Sequence, residues 1–317
     1  MKNSDLVRLR TGIEVSRLAL GTAAFGGLYN SVSDHDCTAS VQRAMESGIT
    51  FFDTAPHYGK GRAEQRLGSA LRAYPRGSYV LSTKIGRLLT PVEYEADDFF
   101  LDADTHVTRT FDYSPTAVRR SFEDSLTRLG LDSIDILFIH DPDDHEEQAM
   151  HQAFPELAKM RDEGLIRAIG IGMNQSAMPT RFVLNTDIDM VLIAGRYSLL
   201  DQSAADDLLP AALERGVDII AAGVFNSGVL ANPEDPNARY NYMPVSDEMR
   251  AKAMRIKGVI EESGYSLTSI AMRFPLRHRA VKSVLVGCRS AAEVDENVTH
   301  FNTEIEESFW ESLVSVL

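Results

Sequence analysis

The 317-residue chain has a composition ordinary for a globular protein, with 44% hydrophobic and 25% charged residues. Such a chain can bury a large core without disulfides or metal ions. Its formal net charge of -14 argues against nucleic-acid and anionic-membrane partners, because an acidic surface repels phosphate. Its two cysteines fit a reducing compartment, and neither a signal peptide nor an apolar run of about 18 residues is present. We therefore predict a cytoplasmic protein with residues 1–317 in a single domain.

Eight short runs rich in Val, Ile and Leu recur along the chain. They lie near residues 16–21, 49–54, 79–84, 133–140, 166–172, 189–194, 217–223 and 281–287. Segments with helical periodicity separate them; in SPTAVRRSFEDSLTRLG one apolar face holds Val118, Phe122, Leu126 and Leu129. Continuous apolar strands that alternate with amphipathic helices indicate a parallel sheet covered on both faces. Eight such repeats predict a closed (β/α)8 TIM barrel.

Two connections, residues 86–114 and 225–246, are too long for plain turns. Loops longer than about 15 residues are usually lids or binding loops. Because both follow strand C-termini, we expect them to cap the C-terminal face of the barrel and to cover a pocket there.

Polar residues stand at the ends of three of the predicted strands. Asp53 ends ITFFD, Lys84 ends VLSTK and His140 ends IDILFIH, while Tyr58 follows the acid by five positions. Taken singly, these residues are typical of a helix cap, a strand-end lysine and a core histidine. Together they indicate an active site, because TIM-barrel sites lie at the C-terminal strand ends.

The four side chains suit acid–base chemistry at a carbonyl. A phenol has an ordinary pKa near 10, so Tyr58 needs a neighbour that stabilises its anion. At about 4 Å and an effective dielectric of about 20, the Lys84 ammonium would contribute roughly 4 kcal/mol, on the order of three pKa units. We expect Asp53 to orient Lys84, and His140 to hydrogen-bond the reacting oxygen.

These residues also carry a resemblance to a known family. DTAPHYGKGRAEQRLG resembles the strand 2 signature of the aldo-keto reductase superfamily, and Asp53, Tyr58, Lys84 and His140 fall on its catalytic tetrad. The resemblance extends from LALGTAAFGG to SVLVGCRSAAEVDENV. Within the family, FDYSPTAVRRSFEDSLTRLGLDSIDILFIHDPD and GIGMNQ are most similar to the D-threo-aldose 1-dehydrogenase (L-fucose dehydrogenase) branch.

The resemblance implies an NAD(P)-dependent oxidoreductase that acts on a small sugar hemiacetal or aldehyde. The leading hypothesis is oxidation of an aldose such as L-fucose to its lactone. A pyridoxal 4-dehydrogenase or a general aldehyde reductase is the alternative within the same chemistry. An alternative of another class is a catalytically silent, cofactor-binding regulatory barrel. The oligomeric state stays open.

The resemblance also assigns cofactor contacts, with two departures from the family. Ala194 stands where many members carry Gln, and Ala222 or Gly223 stands where an aromatic residue often stacks on the nicotinamide, so we expect Tyr197 or Phe225 to stack instead. The assigned contacts before the last strand are Thr22, Asp53, Asn174, Tyr197, Phe225, Asn226, Ser227, Gly228 and Leu230.

The adenosine end of the cofactor site is assigned to the segment that follows the last strand. Its residues are Gly287, Arg289, Glu293 and Asn297. NADP-preferring relatives place Lys and Arg where Gly287 and Glu293 align. Because a carboxylate accepts a ribose hydroxyl and repels a phosphate, we predict that NAD is preferred, with NADP possible through Arg289.

Two further features need an interpretation. Residues 140–151, HDPDDHEEQAMH, mix acids with histidines, but their spacing matches no closed zinc site, so we predict a solvated acidic loop and no metal. His57 adjoins Tyr58, and we expect it to be exposed or on the pocket wall; on the wall it would contact the substrate with Tyr58 and His140.

Overall fold

The computed structural model describes residues 1–314 and contains a closed barrel of eight parallel strands. The strands are β1 (Leu18–Gly21), β2 (Phe51–Asp53), β3 (Val80–Ile85), β4 (Ile136–His140), β5 (Ala168–Met173), β6 (Met190–Ala194), β7 (Asp218–Ala222) and β8 (Val281–Gly287). Each strand pairs with the next, and β8 returns to pair with β1. The eight predicted runs and the predicted TIM barrel are therefore confirmed.

Helices follow the strands and cover the outside of the barrel. They are α1 (Asp34–Glu46), α2 (Arg62–Leu71), α3 (Pro115–Leu129), α4 (Phe154–Asp162), α5 (Ala177–Asn185), α6 (Leu208–Arg215), α7 (Asp247–Glu262), α8 (Leu267–Arg273), α9 (Ala291–Asn302) and α10 (Glu307–Val314). In α3 the predicted apolar face is the one that packs inward, since Val118 and Leu129 are fully buried. None of the helices in residues 1–314 is long and apolar enough to cross a membrane.

Side chains fill the barrel interior and leave only one end for a site. Phe51, Ile136, Phe138 and Ile220 belong to the buried cluster inside the barrel. An antiparallel hairpin of Leu6–Arg8 and Glu14–Ser16 adds Leu9, Ile13 and Val15 to that cluster. Because these residues lie before β1, the hairpin closes the N-terminal end of the barrel.

The register of the strands brings their polar ends together. Asp53 pairs with Gly21 on one side and with Ser82 on the other. Lys84 lies two residues beyond Ser82, and side chains two apart in a strand face the same way. His140 pairs with Gly172 at the end of β5. Three polar strand ends thus meet at the C-terminal end of the barrel.

Both long connections contain short hairpins. Residues 86–114 include an antiparallel pair, Arg87–Pro91 with Val107–Phe111, and residues 225–246 include Arg239–Tyr240 with Met243–Pro244. The predicted acidic loop is wrong in its conformation, because residues 143–153 form a 3-10 turn, a short helical turn and a π-helical turn that lead into α4.

Candidate active site

A buried ion pair lies at the base of the candidate site. The Lys84 ammonium donates to Asp53 Oδ2 over 2.6 Å and to the carbonyl of Thr54 over 2.8 Å, and both charged side chains are 1% exposed. Ser82 donates to the other carboxylate oxygen over 2.7 Å. Thr22 donates to the Asp53 carbonyl over 2.9 Å. With its partners saturated in this way, the pair is held in one orientation, as a buried pair requires.

Three rings stand over this pair. The Lys84 ammonium lies 4.9 Å from the centre of the Tyr58 ring. His140 lies edge-on to Tyr58, with ring centres 5.9 Å apart, and His57 lies edge-on to His140 at 5.6 Å. Phe100, from the first long connection, contacts His57 at 5.3 Å. The structure therefore brings all four tetrad positions and His57 into one cluster.

The protonation of this cluster differs from the sequence-based expectation. Burial, followed by the charge of Asp53, raises the pKa of Tyr58 well above 10.0. The net shift is opposite to the lowering expected from Lys84, because burial disfavours a phenolate and the Asp53 carboxylate, 2.6 Å from the ammonium, opposes the field of Lys84. Burial, with nearby cations, lowers the pKa of His140 well below 6.5 and that of His57 to about 2. At neutral pH these shifts favour the neutral forms of Tyr58 and both histidines, each of which can offer a hydrogen-bond donor.

A loop of unusual backbone follows β7. Asn226, Ser227 and Gly228 have φ angles of 46°, 61° and 110°. The Asn226 amide donates to the Gly195 carbonyl over 3.1 Å, while its buried Oδ1 has no partner among the described residues. Nothing lies within 4 Å of the space beside Gly228. A buried acceptor without a partner beside an open backbone turn fits a bound dinucleotide.

Asn174 is joined to the second long connection by Arg196, which is absent from the predicted site. Arg196 donates to the Asn174 carbonyl over 2.6 Å, pairs with Asp201 at 2.7 Å and donates to Asn241 over 3.0 Å. It therefore links a predicted cofactor contact, Asn174, to the second long connection. Arg196 lies 22 positions after Asn174, so no local sequence signal indicates this link.

The aromatic and apolar positions assigned to the cofactor are partly used for packing. The Tyr197 ring packs against Phe274 at 5.2 Å and against His278 at 6.0 Å. Phe225 is half-buried against the core, and Leu230 is fully buried in it. Which ring stacks on a nicotinamide therefore stays a prediction.

The residues assigned to the adenosine end lie together after β8. The Glu293 carboxylate accepts from the Arg289 backbone N–H over 2.8 Å and from its guanidinium over 3.0 Å. Asn297 donates to the Cys288 thiol over 3.2 Å, and Gly287 is exposed at the end of β8. The sequence predicts a free carboxylate at Glu293. In the structure this carboxylate is paired with Arg289.

A second ion pair, which the sequence does not predict, lies beside the cluster. Arg87 and Asp141 pair at 2.7 Å, directly after β3 and β4. The position of Asp141 directly after His140 marks it in the sequence as a candidate site residue. Its partner Arg87 lies 54 positions away, so no local pattern indicates their pairing. Within residues 1–314, no three His, Cys, Asp or Glu side chains are grouped so as to hold a metal.

Comparison with known proteins agrees with this architecture. Residues 17–317 match the model of the Aldo/keto reductase family. The chain is 39% identical to a D-threo-aldose 1-dehydrogenase of Pseudomonas sp. over 99% of this chain and 97% of that protein. It is also 39% identical to a pyridoxal 4-dehydrogenase of Microbacterium luteolum, covering 96% and 95%. The structure resembles an aldo-keto reductase of Bacillus halodurans in its holo form, with a TM-score of 0.81, 21% identity, and 99% and 96% of the two chains covered.

Proposed function

Since this chain belongs to the Aldo/keto reductase family, whose enzymes are oxidoreductases that use nicotinamide cofactors, we propose that it oxidises an aldose such as L-fucose to its lactone with NAD. The match over residues 17–317 establishes the family, and the closed order of the eight strands establishes the barrel. The substrate, the cofactor preference and the residue roles are the proposal.

One observation carries this proposal. Tyr58 and His140 stand side by side over the Asp53–Lys84 pair at the open end of the barrel. That arrangement offers a proton donor and a second hydrogen-bond donor to one substrate oxygen, which is what carbonyl reduction and its reverse require.

A bound nicotinamide cofactor would supply the hydride chemistry, and the chain supplies orientation and proton movement. In the reducing direction the neutral Tyr58 hydroxyl gives its proton to the substrate oxygen. In the oxidising direction Tyr58 must first lose that proton and then takes the one on the anomeric hydroxyl. The Lys84 ammonium, 4.9 Å from the ring centre, favours the phenolate, and the paired Asp53 carboxylate offsets part of that effect.

Two relatives of equal identity support different substrates, an aldose and pyridoxal, as their names state. We favour the aldose because the site holds charged and hydrogen-bonding groups suited to several hydroxyls. For the cofactor, we propose that Asn174, Asn226 and Ser227 contact it from neutral groups. By pairing with Arg289, the Glu293 carboxylate withholds a cation from a 2′-phosphate, which favours NAD over NADP.

The test is turnover by the purified protein, followed through nicotinamide absorbance. L-fucose and other aldoses, pyridoxal and benzaldehyde are each assayed with NAD or NADP in the appropriate redox state. Tyr58→Phe is expected to lower turnover by at least about 100-fold, because it removes the acid–base hydroxyl, while cofactor affinity measured by calorimetry stays near that of the wild type. Tyr94→Phe is the matched control, because Tyr94 is 70% exposed on the first long connection.

The alternative functions predict different results in this assay. Pyridoxal turnover that exceeds aldose turnover would replace the proposed substrate with pyridoxal. Cofactor binding without turnover of any compound would favour the silent regulatory barrel. Full activity of Tyr58→Phe would remove Tyr58 from the reaction.

A further inference from the structure

Arg87 and Asp141 form an ion pair beside Tyr58 and His140, and neither residue has a role in the reaction proposed above. We propose that this pair determines substrate specificity by binding two neighbouring hydroxyl groups of a sugar. The inference rests on the proposed function and deepens it, because it names the part of the substrate that the enzyme recognises.

The position of the pair places it at the substrate. Arg87 lies three residues after Lys84, and Asp141 directly follows His140. The Asp141 carboxylate is 2.7 Å from the guanidinium and 3.6 Å from Nε2 of His140. Asp141 raises the pKa of Tyr58 and Arg87 lowers it, though both contribute less than burial and Asp53. Since the His140 ring lies 5.9 Å from that of Tyr58, the contact between Asp141 and His140 puts the pair next to the reacting groups.

The pair is held in place by an unusual local frame. Asp141 has a φ of 38°, and its N–H donates to the Gly172 carbonyl over 3.0 Å. The buried Tyr113 hydroxyl donates to the His140 carbonyl over 2.7 Å and lies 3.2 Å from that of Asp141. A Cβ on Gly86 would come within 2.0 Å of the Tyr113 ring, so this close contact needs glycine. Left-handed backbone at a non-glycine residue persists only where its surroundings enforce it, as is common at ligand sites.

The pair retains unused hydrogen-bonding capacity. The buried Nε of Arg87 has no partner among the residues that the structure describes. Its guanidinium lies 5.2 Å from the centre of the Phe111 ring, which supports one face. A guanidinium has five N–H donors, and a carboxylate has about four acceptor positions. Because the ion pair uses only one of these contacts, unused donors of Arg87 lie beside unused acceptors of Asp141.

This chemistry matches a vicinal diol. Each hydroxyl both donates and accepts, so one can donate to Asp141 while its neighbour accepts from Arg87. The side chains are 14% and 21% exposed, so these hydrogen bonds form away from most solvent and gain strength. A simple aldehyde without hydroxyls reaches Tyr58 and His140 without using the pair.

The test compares two substrates on two variants. Asp141→Asn removes the charge while keeping a residue type that tolerates positive φ, and Arg87→Met keeps most of the length without the donors. For both variants, kcat/KM for L-fucose is expected to fall about 10- to 100-fold, while kcat/KM for benzaldehyde reduction stays within about threefold. Calorimetric affinity for the cofactor and thermal unfolding show that each variant is folded.

A set of monodeoxy analogues of L-fucose supplies the complementary measurement. With the wild type, kcat/KM for at least one analogue is expected to be about 10- to 100-fold lower than kcat/KM for L-fucose. Asp141→Asn should lower kcat/KM for that analogue little further. Glu146→Gln is the matched control: Glu146 lies in the same β4 to α4 connection and pairs with Arg181 on the outside, so its loss should leave both substrates unaffected.

Failure of the inference and failure of the proposed function give different results. Equal losses on L-fucose and benzaldehyde would show that the pair only supports the fold of the site and would overturn the inference alone. Unchanged aldose turnover in both variants would also overturn the inference alone. A wild type that turns over neither compound would overturn the proposed function together with the inference.

Discussion

At the scale of single residues, burial sets the chemical state of the candidate site. Tyr58, His140 and His57 are all shifted toward their neutral forms, and in each case loss of solvent is the largest cause. A sequence shows which titratable groups are present and which lie near strand ends. It does not show how much water reaches them, and so the direction of the Tyr58 shift could not be inferred from Lys84 alone.

The neutral state of these residues predicts a flat pH profile for aldehyde reduction. The pKa of Tyr58 lies above 10.0 and that of His140 below 6.5, so neither changes its protonation between those pH values. We therefore expect kcat/KM for benzaldehyde reduction to vary by less than about threefold over that interval. A profile with an inflection near pH 7 would contradict the neutral assignment. Tyr94→Phe, assayed in the same buffers, controls for surface effects.

At the scale of elements, short segments that follow strands carry the proposed specificity. The start of α9 is an example: Ser290 caps the helix by accepting the Glu293 N–H over 3.2 Å, and the Glu293 carboxylate binds Arg289. The same carboxylate thus stabilises the helix start and neutralises the cation that would attract a 2′-phosphate.

This arrangement predicts the effect of Glu293→Gln on cofactor preference. The change releases the Arg289 charge while keeping a side-chain acceptor, so the ratio of kcat/KM with NADP to that with NAD should rise about 2- to 10-fold. Glu296→Gln removes the same charge from the exposed side of the same helix and serves as the control. An unchanged ratio in Glu293→Gln would show that this carboxylate does not govern the preference.

The connections between elements were less predictable than the elements. Residues 86–114 and 225–246 were expected only as caps, yet each contains a hairpin. The eight strands were predictable because each is a continuous apolar run that is buried on both sides. The hairpin strand Arg87–Pro91 is only partly buried, so its residues lack an apolar pattern that would mark it.

At the scale of the whole molecule, paired carboxylates stabilise the connections that follow the strands. Asp97 pairs with Arg109, Asp102 with Arg66, and Asp201 with Arg196. Burial alone would raise the pKa of these three acids, but hydrogen bonds from backbone, hydroxyl and guanidinium donors outweigh it and lower each pKa below 3.8. These acids contribute to stability only while they are ionised.

The sign of these shifts predicts acid sensitivity. Their contribution is complete above the unfolded pKa of 3.8 and is lost as the pH falls through the lower folded values. We therefore expect Tm to fall in two stages. A first loss begins below about pH 6.5, where His57 and His140 are protonated in the unfolded chain and stay neutral in the folded protein, and a second loss from these acids follows below 3.8. Asp102→Asn should lower Tm at pH 7 and make the second fall shallower. A second fall that is equally steep in Asp102→Asn and in the wild type would contradict this account.

The sequence by itself determined the barrel and the identity of the residues at its strand ends. Local patterns can be recognised in the sequence without coordinates. They include the eight apolar runs, their alternation with helices, and the strand-end positions of Asp53, Lys84 and His140. Their proposed roles came from chemistry together with the family resemblance.

Only the tertiary structure decided how those residues interact. It paired Arg87 with Asp141, placed Arg196 between Asn174 and the second long connection, and joined Arg289 to Glu293. The physical reason is that solvent exclusion and ion-pair partners depend on the register of strands and on loop paths, which relate residues far apart in the chain. These relations set the sign of a pKa shift and the shape of a binding site, whereas periodicity sets only the fold.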